Sequence, residues 1–165
     1  MSAKTQLNHV TGLIPLRYHR EILSLLSPHF DVEMSEAVED YLSNIAAAPM
    51  SPFAVTELVF RLVTEITGVE HIRETKTREF PKVFARQLAM VAIYCEIENS
   101  TYKSVGELFS ANFDHASVIH AKKAIEGRYA ADLPARKKIN MLINFLEEKK
   151  LTSTRDYFAK IEKIA

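Results

Sequence analysis

The segment between residues 80 and 96 restricts the fold more than any other, because a helix there is apolar on two sides. Its apolar positions recur at helical spacing and form two stripes. These are Phe84, Leu88, Val91 and Cys95 on one side, and Met90, Ile93 and Ile97 on the other. Two apolar stripes require burial on two sides, so we expect this helix to stand at the centre of a helical domain.

The rest of the chain also predicts an all-α fold, a helical bundle. Only 4 Gly and 6 Pro occur in 165 residues, and runs that alternate polar and apolar residues are few. The clearest amphipathic helix begins at Ser51-Pro52, an N-cap followed by proline, and ends at Gly68. We expect further helices at residues 17–26, 35–47, 101–109, 135–149 and 153–164. We expect residues 1–15 to be unstructured and to end in an apolar patch at 13–16. We expect residues 69–79 to form a short turn of helix followed by a basic loop.

Residues 101–125 predict a helix-turn-helix. Asp114 is a good N-cap for the second helix, whose apolar positions recur at helical spacing. Those inner positions are Val118, Ala121 and Ile125, and the other side shows Ala116, Ile119, His120 and Lys123. The first helix carries Val105, Leu108 and Phe109, and a few small or polar residues separate the two helices. A turn of that length is what the motif needs.

Three short motifs mark this region: RQLAM at residues 86–90, VG at 105–106 and DHASVIHA at 114–121. They resemble the signatures of the C-terminal DNA-binding domain of DnaA, the bacterial replication initiator. The resemblance covers residues 60–146, about half of the chain, and a three-part match is more specific than a bare helix-turn-helix pattern. It implies a Trp-repressor-like helix-turn-helix. The chain departs from the family at Phe113, where the family has Arg, and at Ala116 and Ser117, where it has two Thr.

The resemblance implies that the second helix enters the major groove of duplex DNA. On that basis the residues near bases are His115, Ala116, Ser117, Ile119 and Lys123, with Asp114 opening the helix. The residues near phosphates are Ser104, Lys122 and the basic residues before the motif, which are Arg73, Lys76, Arg78, Lys82 and Arg86.

The charge distribution divides the chain. The chain has 21 Lys and Arg and 21 Asp and Glu, so its formal net charge is zero. A net charge of zero argues against a protein that binds nucleic acids without selectivity. Acidic residues dominate residues 31–70, and most of the basic residues follow. We therefore expect an acidic helical extension over residues 1–50, a DnaA-like domain over 51–150 and a C-terminal helix over 151–165.

Motifs for catalysis are missing from the sequence. It shows no Gly-rich phosphate loop, no nucleophile elbow and no Cys/His ligand set, which predicts a protein that is not an enzyme and has no cofactor. The six histidines are not paired at ligand spacing, so we expect no metal. A lone Cys95 and the absence of a long apolar run predict a cytoplasmic protein without a membrane partner. The resemblance to a DNA-binding domain implies that the protein is nucleoid-associated.

The leading prediction is a non-enzymatic protein that reads a short site in double-stranded DNA, in replication-initiation control or transcription. The alternative is a degenerate DnaA-like module in which the acidic N-terminal half and an outward Ile119 form a homodimer or bind a protein partner. In a third hypothesis, the acidic half covers the reading helix as a DNA mimic. The sequence leaves these three open.

Overall fold

A computed structural model describes residues 2–11, 18–47, 49–74, 76–109 and 113–163. Within these ranges the secondary structure is helical and contains no strand, which confirms the all-α class. The chain divides into two compact units, Met1–Pro49 and Met50–Ala165. No helix in the described ranges is long and apolar enough to span a bilayer.

The first unit consists of three helices. They are α1 (Ala3–Thr11), α2 (His19–Leu26), which runs into a 3-10 turn at Ser27–His29, and α3 (Val32–Ala47). Leu7, Leu23 and Val38, one from each helix, form its buried core. His19 is also buried, and its Nδ1 lies 2.6 Å from the Tyr41 hydroxyl, so α2 and α3 are joined by a polar contact beside the apolar one.

Two expectations for this unit were wrong. The start of the chain is helical rather than unstructured, because Leu7 is buried against the other two helices and α1 packs on α3. Packing of that kind stabilises a helix too short to form alone. Helix α3 begins before residue 35, because the Asp31 carboxylate accepts the N–H of Met34 at 2.8 Å and acts as the cap. The apolar patch at 13–16 lies outside the described residues.

The second unit contains the longer helices. They are α4 (Pro52–Thr67), α5 (Phe80–Glu96), α6 (Tyr102–Glu107), α7 (His115–Ala131), α8 (Leu133–Glu148) and α9 (Ser153–Glu162). The signals predicted for α4 are confirmed at both ends. The Ser51 hydroxyl accepts the N–H of Ala54 at 3.2 Å, and Gly68 adopts φ +69°, with its N–H donating to the Thr64 carbonyl.

Helix α5 is the centre of this unit, as its two apolar stripes predicted. Ala85, Leu88, Ala89, Ala92 and Ile93 are each 0% exposed. Helices α4, α6, α7 and α9 all pack on α5, and α8 packs on α4, α7 and α9. At the end of α5, burial raises the pKa of the Cys95 thiol to about 12, so the thiol is protonated at neutral pH.

The segment between α4 and α5 differs from its prediction. Residues 69–74 contain a hydrogen-bonded turn from His71 to Glu74 and no helix. His71 has φ +54°, a left-handed conformation that helical backbone does not contain. Residues 76–79, which include Lys76 and Arg78, have no regular structure, which agrees with the predicted loop. The predicted final residue of the last helix, Ile164, lies outside the described residues.

Helix α9 is anchored to the end of α5. The Glu96 carboxylate accepts the N–H of Thr154 at 2.7 Å and that of Ser153 at 3.4 Å, so a side chain distant in sequence satisfies the first N–H groups of α9. Phe158, one turn further along, is buried against Tyr129 with ring centroids 4.6 Å apart. Together these contacts attach the C-terminal helix to the core of the second unit.

We predict that Glu96→Ala lowers the free energy of unfolding by about 1–2 kcal/mol, because two helix-start N–H groups lose their acceptor. Glu96→Gln keeps an acceptor oxygen and is expected to lose less. Glu98→Ala is the control, since Glu98 is an exposed residue of the following turn. Chemical denaturation of the three variants measures the difference, and equal losses at positions 96 and 98 would contradict the capping role.

Candidate nucleic-acid interface

A glycine in α6 allows this helix to lie directly against the residues that lead into α7. Its start is closed by a capping box, in which Thr101 accepts the N–H of Ser104 at 3.1 Å and Ser104 accepts the N–H of Thr101 at 2.9 Å. A Cβ at Gly106 would lie 2.2 Å from the Phe113 carbonyl oxygen. The approach of α6 to this backbone therefore requires glycine at position 106.

Asp114 caps α7 as the sequence predicted. Its Oδ1 accepts the N–H and the hydroxyl of Ser117, both at 2.8 Å. The backbone hydrogen bond from Ser117 holds the pKa of the Asp114 carboxyl below its usual value. The stabilisation is therefore present above the ordinary pKa of an aspartate and is lost as the pH falls through the lowered value.

Helix α7 presents one side to the core and another to solvent. Val118, Ala121, Ile125 and Tyr129 are buried at spacings of three and four residues. The exposed residues on the opposite side have the same kind of spacing and are here called the outer stripe. They are Ala116, His120, Lys123 and Gly127. The outer stripe is therefore an exposed face of α7 that a second macromolecule can contact.

Two residues predicted to face DNA lie elsewhere on α7. The Lys122 ammonium lies 5.3 Å from the ring centroid of Tyr157 and 5.9 Å from that of Tyr94, so it packs toward α9 and α5. Ile119 is half-buried. Neither residue belongs to the outer stripe. Of the other residues predicted to lie near bases, His115 is exposed at the first position of α7, and Ser117 is half-buried beside Asp114.

Phe113 and Arg86 contact each other. The Arg86 guanidinium lies 4.6 Å from the Phe113 ring centroid, and its Nη1 donates to the Thr77 carbonyl at 3.5 Å. Phe113 also meets Phe109 edge to face, with centroids 6.2 Å apart. Burial lowers the pKa of the Arg86 guanidinium below its ordinary value. Arg86 thus connects the basic loop to the start of α7 and is half-buried in doing so.

A groove of about 630 Å³ lies between the first turns of α5 and of α7, and we call it the α5–α7 groove. It brings together five of the predicted site residues with Val83, Gln87, Met90, Phe113 and His120. The five are Arg78, Arg86, Asp114, Ala116 and Ser117. Gln87 is 7% exposed, and its side-chain oxygen is buried without accepting a hydrogen bond from the described residues. A buried acceptor of this kind is uncommon in a folded protein.

The remaining basic residues divide into two groups. Arg73 bonds to Glu57 at 2.5 Å and stacks over Phe60, and Lys82 pairs with Glu79 at 2.7 Å. Lys76, Arg78 and Lys123 are exposed and form no ion pair with any residue that the structure describes. The second group retains its charge for an external partner.

Arg73 and Ser104 line a different groove of about 500 Å³, here called the α4–α6 groove, and so stand apart from the α5–α7 groove. Its walls are mainly apolar. They include Phe53, Ile97, Val105 and Leu108. Phe53 is 74% exposed, which is a large apolar surface for a residue in the first turn of a helix.

Of the five groove residues that were absent from the predicted site, two are polar, His120 and Gln87. His120 has the right helical phase, four residues after Ala116, and that spacing was a usable signal. Gln87 was quoted only as part of a motif, although together with Arg86 it interrupts the run of apolar residues from Val83 to Ile93. A polar residue in such a run indicates either a hydrogen bond or a ligand contact.

Among the described residues, no group of three or more His, Cys, Asp or Glu could hold a metal ion. Comparison of the chain with protein-family models, curated proteins and solved structures finds no match. The resemblance to the DnaA domain therefore remains a prediction, supported by the three motifs and by no overall similarity.

We predict that Gly106→Ala destabilises the protein by at least about 2 kcal/mol, because the added methyl group meets backbone that must move. Gly127→Ala is the matched control. Nothing lies within 4 Å of a Cβ at Gly127, which sits inside α7, so alanine there is expected to stabilise by about 0.5–1 kcal/mol. Thermal and chemical unfolding measure both changes, and a neutral Gly106→Ala would contradict the close approach of α6 to Phe113.

Proposed function

We propose that this protein binds duplex DNA without catalysis, through the outer stripe of α7 and the basic loop beside it. The observation that carries the proposal is the arrangement at the start of α7, where an exposed helical face ends beside Arg78 of the loop. A short helix packs behind that face, as in proteins that insert a helix into the major groove. The motif resemblance to the DnaA domain supports replication-initiation control or transcription as the process.

The outer stripe has chemistry suited to base edges. Ala116 offers a methyl group for contact with the thymine methyl, and the His120 ring carries both a donor and an acceptor when neutral. Lys123 donates to guanine acceptors or to a phosphate. Gly127 lets the DNA backbone approach the helix closely, because it has no side chain.

Charge supports the proposal only modestly. The second unit holds 18 Lys and Arg against 15 Asp and Glu. Lys76, Arg78 and Lys123 are its cations nearest the interface that are free of described ion pairs. Three phosphate contacts give a slope of log affinity against log salt of about −3, much shallower than that of a strongly basic protein. Base contacts would therefore carry a large share of the specificity.

Selection from random duplexes tests the proposal directly. The full chain is incubated with a random-duplex pool at low and at moderate salt, and the bound molecules are sequenced. We expect a discrete site to be enriched, with affinity that falls as salt rises. An enriched site that resembles an initiator box would tie the protein to replication, while no enrichment at either salt concentration would refute sequence reading.

Two adjacent lysines offer a matched mutational test. We predict that Lys123→Ala weakens binding to the enriched duplex and reduces the salt slope by about 1, because one phosphate contact is lost. Lys122→Ala is the control, since Lys122 packs on Tyr157 and Tyr94 instead of facing outward. Fluorescence anisotropy over a salt series measures both variants. Equal losses of affinity would show that the outer stripe does not contact DNA.

A second function, protein interaction, is favoured by one observation. The apolar α4–α6 groove is lined in part by Phe53, whose ring is largely exposed, and apolar surface of this kind often marks a protein interface. If this surface forms a homodimer, Phe53→Asp is expected to convert a dimer to a monomer in light scattering. A chain that is monomeric at every concentration before the substitution would exclude the homodimer.

A further inference from the structure

The helices of the first unit border an apolar groove of about 290 Å³, here called the N-terminal groove. Residues of α1, α2, α3 and the turn after α2 line it: Gln6, Leu7, Leu23, Leu26, Phe30 and Met34. Leu7 and Leu23 belong to the buried core of the unit. Leu26 is 37% exposed, and Phe30 and Met34 are half-buried. The groove therefore joins buried core residues to apolar side chains that a partner can reach.

The lining of the N-terminal groove suits apolar side chains better than a small molecule. A small-molecule site usually has several placed polar groups that orient its ligand, whereas this lining has one polar residue, Gln6. Its volume also lies at the lower end of the range for such sites. Met34 has a flexible side chain, which can adapt to the shape of the side chains that enter.

Acidic residues follow the helix that borders the groove. Glu33, Glu36 and Asp40 are exposed on α3, and their spacings of three and four residues place them on one side of it. We call them the acidic stripe. Glu33 directly precedes Met34 of the lining, and no member of the stripe forms an ion pair with a residue that the structure describes. The first unit as a whole holds 3 Lys and Arg against 6 Asp and Glu.

We propose that the N-terminal groove binds an amphipathic helix of a partner protein, with its apolar side chains in the groove and its Lys or Arg residues along the acidic stripe. Addition of a strand would need a sheet edge, and the described part of the chain has no strand. Recognition of a polyproline segment would need a groove lined by aromatic rings, and Phe30 is the one ring in this lining. A helix laid in an apolar groove needs neither feature, and the opposite charges along its flank select the partner.

This interaction goes beyond the proposed DNA binding and does not depend on it. The N-terminal groove and the acidic stripe belong to the first unit, whereas the outer stripe and the α4–α6 groove belong to the second. A variant that loses one activity is therefore expected to keep the other.

Titration of the full chain with designed peptides tests the proposal. The probe is a fluorescent peptide of about 18 residues, long enough to form a helix, with Leu on one face and Lys on the other. One control peptide has Glu in place of every Lys, and another has the same composition with Leu scattered around the helix. We expect the probe to bind about tenfold tighter than either control at physiological salt. No binding of the probe, or equal binding of all three peptides, would overturn the proposal.

Two pairs of variants locate the binding site. Leu26→Lys places a charge in the groove and is expected to weaken binding about tenfold, whereas Leu25→Lys is the control outside the lining. Glu33→Lys is expected to weaken binding through repulsion, and Glu21→Lys is its control. Leu25 and Glu21 are exposed, and each is two residues from Leu23, which places them on the far side of α2. Equal affinities within both pairs would show that the peptide binds elsewhere.

Two other occupants of the groove would give different results. If a second copy of the chain fills it, light scattering shows a dimer that Leu26→Lys converts to a monomer. If a membrane surface covers it, the chain sediments with vesicles of phosphatidylcholine and phosphatidylserine, and Leu26→Lys prevents this. Either result would overturn the proposal of a helical partner.

Discussion

Burial of α5 on all sides is the constraint on which the second unit depends. The residues at positions 85, 89 and 92 are alanines, and all three are buried. Because their side chains are small, neighbouring helices can pack close to the axis of α5. Helices α4, α6, α7 and α9 all pack on α5. The position of α7, and hence the direction of its outer stripe, follows from that packing. A disturbance in the core at α5 would move the candidate interface even though no residue of the interface had changed.

Adjacent residues of helix α7 lie in different surroundings. Consecutive residues on a helix point about 100° apart, so Lys122 and Lys123 have different neighbours although their chemistry is the same. Lys122 lies over the rings of Tyr94 and Tyr157, and Lys123 is exposed. The first contributes to the packing of α9 and the second is left for a partner. Two residues of the same type can therefore have different roles, which depend on the side of the helix on which each residue lies.

The contact between Arg86 and Phe113 reduces the positive charge that the proposed interface exposes. The Arg86 guanidinium lies 4.6 Å from the Phe113 ring centroid and is half-buried. The proposed interface has few free positive charges, which agrees with the zero net charge of the chain. A protein with this interface would depend more on contacts to bases than a protein with a strongly basic surface does.

The sequence by itself determined the helical class, the central place of α5 and the caps at Ser51, Gly68 and Asp114. These depend on periodicity and on hydrogen bonds between residues close in the chain, so local signals suffice. Only the tertiary structure decided that α1 forms, that Lys122 lies over the rings of Tyr94 and Tyr157 and that no described residue donates to the Gln87 oxygen. Each of those outcomes depends on groups brought from distant parts of the chain, and a pattern within one helix does not specify which groups surround it.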